Sequence, residues 1–353
     1  MFTKTHTRIA LAAAATVFSL VAHAANTIQF DPFGSSGTSA FIPPGGFQVD
    51  SIDWLPDNAL SIGALSTPAF GSTAFTSLGL VPQVGQKIGE NYFKTVAQGK
   101  LGSFHDVTNG NIGVLPGFLS PPPFGREFTF QSSGYEFGSN IGTATASFRL
   151  APGASVYSIF ADTSSNSNTT TGQGYGDGVL IFQGTLSELS GAFTTKTFVP
   201  GDPDFGRHKL LDSFGTDQQN GVQSVIGQGS NRINVKVTYL NPAYFLNSFT
   251  GLNYIDTTNL QAPFEQVNPS DQVVGVTPSY SVTGLSAKTN GEACTNGSGR
   301  DEHGNLVLGR CDFHFQSDAA GSFLMAVPEP GSIALIGIAL AGLGLVNRKR
   351  KSV

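Results

Sequence analysis

Between Asn231 and Leu240 the chain reads N-R-I-N-V-K-V-T-Y-L, and side-chain character alternates with period two. Ile233, Val235, Val237 and Tyr239 fall on one side; Asn234, Lys236 and Thr238 fall on the other. That alternation demands an extended strand with one buried face. The rhythm returns at Thr143–Leu150, where Ala144, Ala146, Phe148 and Leu150 oppose Thr143, Thr145, Ser147 and Arg149. Gly178–Gln183, with V-L-I-F at its centre, reads as a strand buried on both faces. Further strands are expected at 26–31, 47–54, 91–101, 127–130, 155–160, 193–199, 272–276, 280–282, 306–308, 311–315 and 322–326. Within F-Q-V-D-S-I-D-W (47–54) the alternation slips by one near Ser51, as a β-bulge produces. Helical signals are confined to single turns at Ser187–Leu189 and Leu246–Leu252.

The punctuation agrees. With 44 Gly, 28 Phe and only 12% charged residues, the chain is too aromatic for a disordered tail and too poor in charge for a helical bundle. Roughly a dozen short strands predict an all-β body, an antiparallel β-sandwich or jelly roll. Residues 25–326 suffice for one large domain or two smaller ones. No internal repeat of about 20–50 residues supports a propeller or solenoid. Asp162–Gln173, D-T-S-S-N-S-N-T-T-T-G-Q, is expected to be a solvated loop.

Both termini address the chain. Lys4 and Arg8 precede an apolar run, Ile9–Val21, and Ala22-His23-Ala24 forms a small-x-small cleavage site. This is a secretory signal peptide over 1–24, giving a mature start at Ala25. At the other end, 327–353 holds Pro328-Glu329-Pro330, then the uncharged run Ile333–Val346, then Arg348-Lys349-Arg350-Lys351. The prolines keep a helix from entering from upstream. The apolar run would make a C-terminal hydrophobic helix of roughly 21 Å, short of a hydrocarbon core about 30 Å thick. The basic cluster orients it with the tail inside and the body outside. This order of features resembles the PEP-CTERM sorting signal of Gram-negative bacteria. The resemblance implies exosortase as processing partner, a transient inner-membrane intermediate, and release to the cell surface or extracellular matrix. Removing both termini takes away six basic residues and one acid, leaving the body near −10 against −5 for the whole chain. That charge disfavours nucleic acid as a partner.

Cys294 and Cys311 meet an oxidising compartment and flank a polar 16-residue loop, favouring a disulfide over a zinc site or free thiols. Trp54, the single tryptophan, reads either as a core anchor before a Pro-Asp-Asn turn or as a sugar-stacking ring. Its segment, Asp53-Trp54-Leu55-Pro56-Asp57-Asn58-Ala59-Leu60, resembles the opening of a flocculation-associated PEP-CTERM family. Asp312-Phe313-His314-Phe315-Gln316-Ser317-Asp318-Ala319-Ala320-Gly321-Ser322-Phe323 resembles that family's closing segment. The resemblance implies a role beside secreted exopolysaccharide in building flocs or biofilm, and brings no catalytic residues.

The chemistry-bearing motifs are sparse. H-E-x-x-H, paired C-x-x-C, P-loop and G-x-S-x-G patterns do not occur, so no catalytic or metal residues are assigned and no enzyme activity is expected. His105, His208, His303 and His314 are scattered and read as strand or surface residues. No cofactor is expected, although Tyr175-Gly176-Asp177-Gly178 and Gly201-Asp202-Pro203-Asp204 place carboxylates on Gly-bearing loops as calcium requires. Two function classes follow: a matrix protein working with exopolysaccharide, or a secreted glycan-binding or glycan-hydrolysing sandwich whose acid pair sequence cannot locate.

Overall fold

A computed structural model describes residues 27–38, 40, 43–64, 67–106, 126–141, 143–195, 209–216, 223–224, 227–260, 262–274, 298–300, 306–308 and 312–325. Thr27–Leu324 forms one compact unit. Its strands are β1 (Ile28–Phe30), β2 (Phe47–Trp54), β3 (Asp57–Ile62), β4 (Glu90–Asp106), β5 (Glu127–Ser139), β6 (Thr145–Leu150), β7 (Val156–Asp162) and β8 (Val179–Thr195). They continue with β9 (Lys209–Leu210), β10 (Gln223–Ser224), β11 (Gly227–Leu240), β12 (Gly251–Leu260), β13 (Ser298–Arg300), β14 (Leu306–Leu308) and β15 (Phe313–Leu324). The helix among the described residues is α1 (Thr73–Ser77).

The fold is all-β and antiparallel. Among the described residues eleven strands form one sheet, with β9–β10 and β13–β14 as separate pairs. Two of its strands are interrupted. β2 and β3 together run between β4 and β15, broken at Leu55-Pro56, where proline has no N–H for the ladder. β6 and β7 together run between β5 and β8, broken at Ala151–Ser155. The pairings then close on themselves as β2/β3, β4, β5, β6/β7, β8, β11, β12, β15 and back to β2/β3. Neighbours along the chain are neighbours in the sheet. This is a closed meander, where a jelly roll needs Greek-key crossings. Closure removes the free edges on which exported β proteins aggregate.

The interior is aromatic. Rings from strands that do not pair meet across it: Trp54 and Phe130 at 4.9 Å, Tyr157 and Tyr254 at 4.9 Å, Phe93 and Phe148 at 6.3 Å, Phe193 and Phe313 at 5.7 Å. Phe30 of β1 packs on Phe104, Phe128 and Phe245. Gly321 lies under the Tyr254 ring, and a side chain there would collide with it. The bulge expected near Ser51 is present as a register shift between Val49 and Ser51 against β4. A second shift, between Val237 and Tyr239, breaks the expected alternation of β11 and leaves Tyr239 exposed while Val235 is buried. Ser187–Leu189 belongs to β8 and Leu246–Leu252 is not helical, so both expected helical turns are corrected. β15 is one continuous strand where the sequence suggested two.

Strand direction fixes two ends. β3 finishes beside the start of β15, since Ser61 pairs with Phe313. β15 then runs to Leu324 at the opposite end, where Leu252 of β12 pairs with Phe323.

Candidate functional site

The two segments that suggested a flocculation relative lie about 250 residues apart in sequence and form adjacent strands. Phe313, His314, Phe315, Gln316 and Ser317 pair with Ser61, Leu60, Ala59, Asn58 and Asp57, and Ala320 pairs with Asp53. This seam closes the ring. Side chains lock it. Asn58 Oδ1 accepts from Ser270 N at 2.8 Å and bonds His314 Nε2 at 2.8 Å; its Nδ2 donates to Asn268 O at 3.1 Å. Asp312 Oδ1 accepts from Gly63 N at 2.6 Å. Phe264 packs edge-on against His314 at 4.7 Å. Burial drives the His314 pKa down to about 3, so the ring is neutral across physiological pH. Asn58 and His314 are both buried, and the seam pins residues 262–274 against the sheet.

A second network ties residues 163–178 to the wall. Tyr175 OH donates to Asp57 Oδ2 at 2.6 Å, and Thr129 Oγ1 donates to Tyr175 O at 2.9 Å. Burial pushes the Asp57 carboxyl up to about 7 against the lowering effect of Tyr175 and Asn58. The Glu127 carboxylate accepts from Asn166 N and Ser167 N, both at 3.0 Å, and from Ser167 Oγ, and it pairs with Lys100 Nζ at 2.7 Å. Burial raises its pKa, but these donors outweigh that and hold it below its ordinary value. The polar stretch from Asp162 is therefore a loop fastened to the sheet.

The interior has a polar centre. Trp54 Nε1, Tyr157 OH and Tyr254 OH are buried beside one another; burial, with Tyr254 adding to it, raises the Tyr157 hydroxyl well above its ordinary value, and burial raises Tyr254 against the lowering effect of Tyr157 and Trp54. Nearby, Asp256 Oδ1 accepts from Ser317 Oγ at 2.7 Å. Burial raises Asp256 to about 6 and Glu136 to about 7, and the Asp256 charge adds to the rise at Glu136. Trp54 is thus a core ring, which settles the choice between anchor and sugar platform.

The predicted addressing residues Ala22, Ala24, Pro328, Glu329, Pro330, Arg348, Lys349, Arg350 and Lys351 lie outside the described residues, as do Cys294, Cys311, His208, His303, Asp202 and Asp204. Asp177 accepts from Asn166 Nδ2 at 2.8 Å. Among the described residues no three His, Cys, Asp or Glu side chains converge on a metal position, and no helix is long and apolar enough to cross a membrane. Sequence reasoning missed Glu127, Glu136 and Asp256, whose roles depend on loops and strands remote in the chain. It also missed Asp31, whose carboxylate accepts from Phe33 N, Ser35 N and Gly37 N; D-P-F-G-S is the turn signature that would have marked it.

Among known proteins, residues 326–351 match the family model of the PEP-CTERM protein-sorting motif. The chain carries a PEP-CTERM sorting signal. As a PEP-CTERM protein it is exported, processed by the membrane enzyme exosortase and sorted to the cell surface. β15 ends at Leu324, just before the matched residues begin. No curated protein and no solved structure matches the chain.

Proposed function

We propose that this PEP-CTERM protein is a structural component of the extracellular matrix that works with exopolysaccharide in floc or biofilm formation. The supporting observation is the seam. The segments Asp53–Leu60 and Asp312–Phe323, which separately resemble the flocculation-associated family, pair residue by residue and share the Asn58–His314 hydrogen bond. Their burial gives them a structural task, closing a ring whose outer surface and loops are left for contact with the matrix.

Two further features belong to this reading. The mature chain starts at Ala25 and loses everything from the Pro-Glu-Pro turn onward. Cys294 and Cys311 form a disulfide, a reading supported by the antiparallel pairing of Ser298 with Leu308, which lie between them in sequence.

Deletion of the gene tests the reading. Cells lacking it stay suspended while still secreting exopolysaccharide, and reintroducing the gene restores flocs. Normal flocculation of the deleted strain refutes the proposal.

A further inference from the structure

The eight staves of the closed ring, β2/β3, β4, β5, β6/β7, β8, β11, β12 and β15, enclose an interior whose two ends differ. A ring of this size is just wide enough to be filled by side chains or to hold one small ligand. At the end where β15 finishes it is filled: Phe30, Phe249 and Phe323 are all buried. Toward the end where β15 begins, inward residues keep accessible surface. Alternation and register place Thr95 and Ala97 of β4, Ser132 of β5, Ile233 of β11 and Phe315 of β15 on the inner face, and all five are half-buried. The outer face of β4 beside them is covered, since Val96 packs on Val273 and Gln98 Oε1 accepts from Val274 N at 2.7 Å. The surface left at Thr95 and Ala97 therefore faces inward, into a chamber.

Two carboxyls meet in that chamber from opposite walls. β5 and β12 are four staves apart in the ring of eight, yet the Asp256 charge reaches Glu136. Glu136 is hydrogen-bonded by Thr95. Asp256 accepts from Ser317 Oγ at 2.7 Å and from Asn231 Nδ2 at 3.5 Å, while Asn231 Oδ1 has no donor. Among the described residues no Lys, Arg or His lies on the inner face at this level, so neither acid has a cationic partner. The floor points to a ligand independently. Tyr254 stands two residues before Asp256 on the same face and Tyr157 pairs with Ser132, so Trp54, Tyr157 and Tyr254 lie directly beneath the acids. They are 2%, 5% and 2% exposed. Together they hold three N–H or O–H protons and two acceptor oxygens. Indole accepts no bond, so however the hydroxyls pair, one tyrosine O–H is left over, and no other described group accepts it. Buried donors are rarely left so in a folded protein.

We propose that the chamber binds a small hydroxylated amine, its ammonium group between Glu136, Asp256 and Asn231 Oδ1 and one of its hydroxyl oxygens accepting from the tyrosine pair on the floor. Amino alcohols and amino sugars share this chemistry. The ammonium supplies the counter-charge that the two acids lack, in hydrogen bonds strengthened by charge. An uncharged analogue leaves the acids as they are in the empty chamber and is discriminated against on that account. The proposal does not depend on the exopolysaccharide role.

The test titrates the protein purified from its host with ethanolamine and with glucosamine. It follows the emission of Trp54, the single tryptophan, and the midpoint of thermal unfolding. A saturable change in emission and a raised midpoint with either amine are expected, and the tighter of the two shows whether the chamber fits an amino alcohol or an amino sugar. N-Acetylglucosamine, which lacks the charge, binds at least about tenfold more weakly than glucosamine. Glu136→Gln removes a buried acid without changing its shape, so it stays folded and weakens the amine by about tenfold or more, the loss expected for one charge-assisted hydrogen bond. Asp256→Asn does the same from the opposite wall. No response to either amine overturns the proposal, as does equal binding of glucosamine and N-acetylglucosamine, or undiminished amine binding by both folded variants.

Discussion

Asn58→Ala removes the centre of the closing seam. Two buried groups, Ser270 N–H and His314 Nε2, and the half-buried Asn268 C=O each lose a hydrogen bond. A buried polar group left unsatisfied costs about 1–3 kcal/mol. Residues 262–274 can shift and admit water to Ser270 and Asn268, which puts the sum near the lower end, about 3–5 kcal/mol. That is a large share of a total stability of about 5–15 kcal/mol. For a chain of this size it lowers the midpoint of thermal unfolding by roughly 6–10 °C.

The assay is thermal and urea unfolding followed by circular dichroism at pH 7, where His314 is neutral in parent and variant alike. His314→Phe supplies the second arm. It keeps a ring against Phe264 but removes the Nε2 hydrogen bond. Because Asn58→Ala has already stripped His314 of this bond, His314→Phe costs less in the Asn58→Ala background than in the parent, by about 1–2 kcal/mol. Unfolding of Asn58→Ala within about 1 kcal/mol of the parent refutes the claim that this residue holds the seam. Strict additivity of the two substitutions refutes the shared bond.

Three further outcomes follow from the buried network. Glu136 has a folded pKa raised to about 7 from 4.5, so the stability it contributes is complete at pH 4 and is lost as pH rises through 7; Glu136→Gln therefore gains on the parent between pH 5 and pH 8, and a pH-independent difference in urea midpoints contradicts the assignment. Glu127→Ala frees Asn166 and Ser167 and strands Lys100, which is partly exposed and contributes little itself, so the main effect is local: limited proteolysis cuts within 163–178 at least about tenfold faster than in the parent while the global stability falls by only about 1–3 kcal/mol. Peptide mapping of the mature protein from its host, without reductant, yields a Cys294–Cys311 linked pair, an N-terminus at Ala25 and no peptide from Pro328 onward; separate cysteine peptides remove the disulfide, and a retained tail removes the processing step.

The strand content was legible because period-two alternation is a local property. Thr145–Leu150 shows this: Ala146 is buried, Phe148 packs inward on Phe93, and Arg149 reaches outward to Glu90 at 2.8 Å. The slip at Ser51 was legible for the same reason. Closure was not, because it depends on β15 meeting β2 and β3 across more than 250 residues, and alternation says which face is buried without saying which strand lies alongside. Tyr239 failed through a bulge at Thr238 that leaves no mark in the pattern. The outward-facing aliphatics Leu78, Val81, Val84 and Ile88 were not legible, because L-G-L-V-P-Q-V has no period that assigns a face. The candidate site divided likewise: its two segments stood out individually, while their pairing and the Glu127 and Asp256 networks needed the fold.

The closing strand lies next to the sorting motif in the chain, and that order bears on how the seam is completed. Until β15 is in place, β12 on one side and β2/β3 on the other each present an unpaired edge, the arrangement most prone to pairing with another chain. The strand that covers both edges is the last of the body, and the matched sorting motif begins at residue 326, directly after it. A cut at the Pro-Glu-Pro turn removes the tail and leaves every pairing of β15 intact. A cut even one strand earlier would open the ring. The matched processing signal thus lies outside the closing strand, and its removal costs the ring no pairing.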